Sequence, residues 1–146
     1  MPNAILLSVR EQFERELPLT DGQDVTPGML CEFAGTTSVT IQAHSADDEI
    51  PSPLIVAVES PWRSGSGIDD AYDQNGERVE FHYLLSGDRY YALLAPGEIV
   101  DSYADRLQSN GDGTLKIGTT LAFARPLELV DNTYGAENVR IRVEVL

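Results

Sequence analysis

The chain has 146 residues with 24 acidic against 10 basic side chains, giving a formal net charge of −14 and a pI near 4.3, and a chain of roughly this length is expected to bury one core as one domain. At 42% hydrophobic and 8% aromatic residues it is too apolar for a disordered acidic tail. Its longest basic cluster, Arg140 and Arg142, is flanked by Glu137 and Glu144, and no stretch approaches the roughly 18 to 20 apolar residues of a membrane span, so neither nucleic acid nor a membrane is an expected partner.

Residues 4–17 place Ile5, Leu6, Val9, Phe13 and Leu17 at helical spacing, with Asn3 as an N-cap and Pro18 as a stop. From Phe13 to Leu19 the apolar side chains also fall on every second residue, which reads as an extended segment. Both readings make residues 1–17 an amphipathic N-terminal arm ahead of a domain over 18–146. The start has neither the basic region nor the length of a signal peptide, so export by that route is not expected. Ile5, Leu6, Leu7, Val9 and Phe13 are candidate partner-binding side chains.

Beyond Thr20 the pattern changes to short strands, predicted at 29–33, 39–44, 54–58, 79–85, 90–94, 106–109, 114–117, 120–125 and 138–146. They are punctuated by Asp21-Gly22, Pro27-Gly28, Gly35, Gly87-Asp88 and Pro96-Gly97. Many short strands separated by Gly, Pro, Asn and Asp predict an all-β barrel or sandwich. Asn110-Gly-Asp-Gly113 between two strand patterns predicts a hairpin. The last strand alternates Val139, Ile141, Val143 and Val145 with charged residues, the pattern of a half-buried strand. A faint echo links Gly22-Gln-Asp-Val25 with Gly97-Glu-Ile-Val100. Residues 59–78, low in aliphatics and rich in Gly, Ser, Asp and Asn, predict a long loop. It carries the only tryptophan, Trp62, either as a cap on the barrel or as an exposed anchor for a partner.

Chemistry finds little purchase in this pattern. Cys31, the lone cysteine, excludes an internal disulfide and sits in an apolar run that suits a buried thiol. His44 and His82 fall in strands, and Ser64-Gly-Ser66-Gly67 lacks the strand-to-helix context of a nucleophile elbow. No phosphate-binding glycine motif is present. Asp73-Gln-Asn75-Gly76 resembles the middle of a calcium loop, but Ala71 and His82 occupy the positions where acidic ligands are needed. No enzyme activity, cofactor or metal is expected. Nine of the ten basic residues are arginine and one, Lys116, is lysine. Heavy acidic loading with almost no lysine suits a protein kept soluble in molar salt, where a Debye length of about 3 Å screens self-repulsion, the alternative being an ordinary acidic mesophile protein.

The run His82-Tyr83, then Gly87 to Val100, Leu107 to Leu115, Ala122 to Asp131 and the terminal Val139 to Leu146, resembles capsid decoration (cement) proteins of tailed DNA viruses, and the composition those of haloarchaeal viruses. The resemblance covers residues 83–146 well and 17–45 loosely, through structural turns and strands with no functional side chain to carry over. It implies a small β-barrel or β-tulip-like domain on the outer capsid surface of the virion. Such a domain would be a homotrimer bridging and stabilising major capsid proteins. Other virion roles (turret, tail or fibre base) and a carbohydrate-binding surface module using Trp62, Tyr72, Tyr83, Tyr90 and Tyr91 are the alternatives. The bonding surface is expected where acidity is least, at the start of the arm and on the Val/Ile face of the last strand.

Overall fold

The computed structural model describes residues 4–8, 14–60, 67–72 and 77–146, and among these every regular element is a strand. In the first half they are β1 (Leu6–Ser8), β2 (Glu14–Pro18), β3 (Leu30–Ala34), β4 (Thr40–Ala43), β5 (Ile55–Ala57) and β6 (Arg78–Tyr83). The second half supplies β7 (Arg89–Leu94), β8 (Ile99–Val100), β9 (Leu107–Ser109), β10 (Leu115–Ile117), β11 (Ala124–Pro126), β12 (Val130–Asp131) and β13 (Val139–Val145).

The strands form two rings and a ribbon. In the first ring β7, β10, β9, β11 and β13 pair in that order and β13 returns to β7, closing a five-stranded barrel. The second sheet runs β2-β6-β5-β3-β4, and its ends meet through a bridge between Leu19 and Ile41 and a 2.7 Å hydroxyl pair, Thr20 and Thr40. Strands β8 and β12 form a separate antiparallel ribbon.

The alternation of β13 is what this architecture requires. Ile141 opposite Ala92 and Val143 opposite Tyr90 share one face and are fully buried, each aliphatic side chain contributing about 1.5–3 kcal/mol. Arg142 and Glu144 point the other way, and Glu144 bonds both Arg89 and Arg125. Strand β5 follows a different rule, with all three of its residues buried. Ile55 and Ala57 enter a core shared with Leu19, Val25, Cys31, Ile41 and Phe81. Val56 and Val58 face the larger core around the first ring. A strand sandwiched between two cores has no polar face, so the period of two disappears from its sequence.

Asn110 to Gly113 makes the predicted hairpin between β9 and β10. Asn110 N–H donates to Thr114 O, Asp112 accepts from the Thr114 N–H, and Gly111 and Gly113 both adopt φ of +86°. The echoed turns also recur, with Gly22 and Gly97 at positive φ, but Val25 enters one core and Val100 the other.

The chain differs from the expected pattern in three places. Of the helical and extended readings of residues 1–17, the described stretches 6–8 and 14–17 follow the extended one, and they belong to the sheets: β1 pairs with β7, and β2 pairs with β6 over five residues. The 120–125 strand begins only at Ala124, because Gly118 to Leu121 turns before the chain rejoins the ring at Phe123 N–H to Leu107 O. Strands β8 and β12 are two residues each, too short for alternation to reveal.

Candidate interaction surface

The apolar start of the chain is built into the fold. Ile5 is fully buried, its N–H donates to Glu59 at 3.1 Å and its carbonyl accepts from Tyr91 N–H at 2.8 Å. Ile5 therefore packs inside the chain instead of presenting an anchor, while Leu6 and Leu7 are half-buried. Val9, Phe13 and Trp62 lie outside the described residues. The Val/Ile face of β13 is likewise interior at Ile141, Val143 and Val145, so these apolar side chains serve the core of the domain. The tyrosines considered as sugar platforms are also interior: Tyr72 and Tyr90 are fully buried and Tyr91 nearly so. Tyr72 donates to Val58 O at 2.6 Å. Tyr83 packs edge-on against Phe81 and Phe33, at ring separations of 5.9 and 6.4 Å.

Exposed apolar surface appears instead on the β8–β12 ribbon. Asp131 pairs with Ile99 and Val130 with Val100, so Ile99 and Leu129 are diagonal neighbours on the outer face, within reach of each other. They are 40% and 49% exposed. Tyr103, three residues past β8, and Tyr134, three past β12, are 60% and 97% exposed. Asp101 and Asp131 flank the pair on the same face, and Asp131 is held below the usual carboxylate range by the Thr133 hydroxyl and N–H. Asn132 anchors the ribbon, its buried amide donating to the carbonyls of Leu94, Ala95 and Glu137. Ile99 sits in the Gly97 to Val100 turn that stands out in the sequence. Tyr134 has no local sequence signal beyond its position among turn residues.

Arg140 is the most firmly placed cation. Its side chain is 8% exposed, and it donates to Pro27 O at 2.6 Å, to Tyr91 O, to Ile68 O and to Asp69. Burial depresses its pKa and Asp69 opposes the shift. Gly28 makes this possible, since at φ +97° a Cβ would strike the Arg140 guanidinium and the Tyr91 carbonyl. All of the donors are taken up by the protein, so Arg140 is a clamp across three segments and not a ligand site.

On the second sheet a cavity of about 250 Å³ is lined by Glu32, Phe33, His44, Glu49, Ser52 and Pro53. His44 is 3% exposed, with Nδ1 at 2.9 Å from Ser109 Oγ and Nε2 at 3.4 Å from Glu49. Ser109 Oγ donates to Ala46 O at 2.8 Å and accepts from Gly111 N–H. Ser109 is fully buried and its proton is held by a carbonyl, so this serine and histidine form a structural pin, not a nucleophile and base. The same loop is tied down by Lys116 on Asp47 at 3.1 Å, which lowers the Asp47 pKa, and by Gln108 on Asp47 O. Among the described residues no group of three His, Cys, Asp or Glu side chains converges for a metal. Cys31 is fully buried, and burial raises its thiol to about 12.

No family model matches the chain, and no curated protein does. Among solved structures it is similar to the head fiber gp8.5 N base of bacteriophage phi29, with a TM-score of 0.58 and 13% identity, covering 92% of this chain and 95% of that one. At this identity the likeness establishes a shared all-β fold.

Proposed function

We propose that this chain is a structural protein of a virion, attached to the outer face of a viral capsid as a head-fibre base or decoration protein. The observation that carries this reading is the likeness to a phage head-fibre base across nearly the whole of both chains. The resemblance of residues 83–146 to capsid decoration proteins points to the same setting. Between the two roles the fold favours a fibre base.

In this reading the partner is the major capsid protein, and the β8–β12 ribbon supplies the contact through Ile99, Leu129, Tyr103 and Tyr134. Large exposed aromatics beside aliphatic residues are the composition of interface centres. Self-association as a trimer completes the proposal, and sedimentation equilibrium tests it directly: a monomer at all concentrations removes the trimer. The acidic surface belongs to a high-salt setting, so the melting temperature should rise with KCl, and a protein equally stable at low salt contradicts that setting.

The decisive test mixes purified protein with capsids lacking it and images the particles. Ordered density at fixed positions on the shell is expected, and Leu129→Asp combined with Ile99→Asp should abolish it while leaving the melt unchanged. Absence of shell binding by the wild-type chain overturns the reading.

A further inference from the structure

We propose that the cavity walled by Phe33, Pro53 and His44 is a socket for a guanidinium group, an arginine side chain presented by an unlike protein. The argument begins with Ser109. Its hydroxyl proton is committed to Ala46 O at 2.8 Å, so His44 Nδ1, at 2.9 Å, must be the donor in that contact. In the neutral ring this fixes the tautomer and leaves the Nε2 lone pair on the side where Glu49 Oε1 stands 3.4 Å away. With the ring neutral, two acceptors thus face one another at the wall of one cavity, and a cationic donor entering there satisfies both as a proton on Nε2 would.

The remaining walls suit a planar cation. Phe33 is 37% exposed, and its ring is braced edge-on by Phe81 at 5.7 Å and Tyr83 at 6.4 Å, so a face for stacking is already in position. Glu32 adds a second carboxylate, held in place by the Ser45 N–H and hydroxyl and by Gln42. The Glu49 side chain is 62% exposed and free to close on an entering group.

The occupant comes from a different protein. Among the described residues Arg78, Arg89, Arg125, Arg140 and Arg142 already pair with carboxylates of their own chain. Arg106 bonds the carbonyls of Ala104 and Asp105. Under the proposed function the arginine belongs to a capsid subunit, and that identity rests on the reading above, whereas the socket rests on its own geometry.

The test is an NMR titration of the isolated full chain with N-acetyl-arginine amide, following the His44 ring and Phe33 signals, with the neutral citrulline analogue and N-acetyl-lysine amide alongside. Saturable shifts with arginine are expected, about tenfold weaker with lysine and absent with citrulline. Glu49→Gln, at an exposed position that leaves the melt unchanged, should weaken arginine binding about tenfold, and Phe33→Leu should do the same. No saturation, an equal response to citrulline or lysine, or indifference to Glu49→Gln overturns the socket. Because no capsid is present, capsid binding and socket binding fail separately.

Discussion

The first ring closes through paired strands at every seam, over six residues between β13 and β7 and over a single register pair each between β10 and β7 and between β11 and β9, whereas the second closes through one bridge at Leu19 and Ile41 and a pair of threonine hydroxyls. The difference extends to their interiors. The first ring lies in the larger core, which reaches across to Leu30, Val56 and Val58 on the back of the second sheet. The smaller core contains Cys31 and the tyrosine Tyr72, and its margin carries the His44 cavity. The second ring thus leans on side-chain packing at the seam where the first has a strand pairing.

The sharpest way to break this comparison is to remove the same side chain from each ring. Ile141→Ala in the first and Ile41→Ala in the second both empty fully buried sites, and each should cost about 2–5 kcal/mol in urea unfolding. The Ile141 loss should be the larger, because a ring closed on all sides collapses less around a void; equal losses would show that closure does not matter. Arg140→Met strips partners from the carbonyls of Pro27, Tyr91 and Ile68 and should cost about 3 kcal/mol, since unpaired buried acceptors are expensive.

Tyr90 offers a change of opposite sign. Its hydroxyl is buried inside the first ring with no hydrogen-bond partner among the described residues, and burial raises its pKa. Tyr90→Phe should therefore stabilise the protein by about 1 kcal/mol in the same assay. Alkali probes the second ring through Cys31. With the folded thiol raised from 9.0 to about 12, the unfolded chain loses that proton first, so stability is full below about pH 9 and falls as pH rises toward 12. Cys31→Ala should remove that part of the slope, measured as the unfolding midpoint against pH. Smallest of all, Arg78→Ala deletes an exposed pair with Glu16 and should shift stability by less than about 0.5 kcal/mol.

Legibility in the sequence follows burial on one side or two. Strand β13, buried on one face, is visible residue by residue, and so is the Asn110 to Gly113 hairpin, whose turn chemistry is local. Strands β1 and β2 are harder, because a short amphipathic segment fits helix and strand periods alike, and only pairing with β7 and β6 selects the strand. Of the interaction residues, Ile5 misleads: exposure cannot be read from an apolar residue near a chain's start, and here Glu59 and Tyr91 hold it inside. The ribbon pair Ile99 and Leu129 lies thirty positions apart in sequence and becomes one surface only through the β8–β12 register.

By itself the sequence determined the all-β class, most strand positions, the hairpin and the burial of Cys31, since each depends on residues within a few positions of one another or on composition. Tertiary structure decided which strands close a ring, which strands are buried on both faces, that Arg140 reaches Pro27 and Ile68, and that Ser109 orients His44 beside Glu49. Those outcomes depend on groups that the chain brings together over 65 residues in the case of His44 and Ser109 and 113 for Arg140 and Pro27, separations at which no local period carries information.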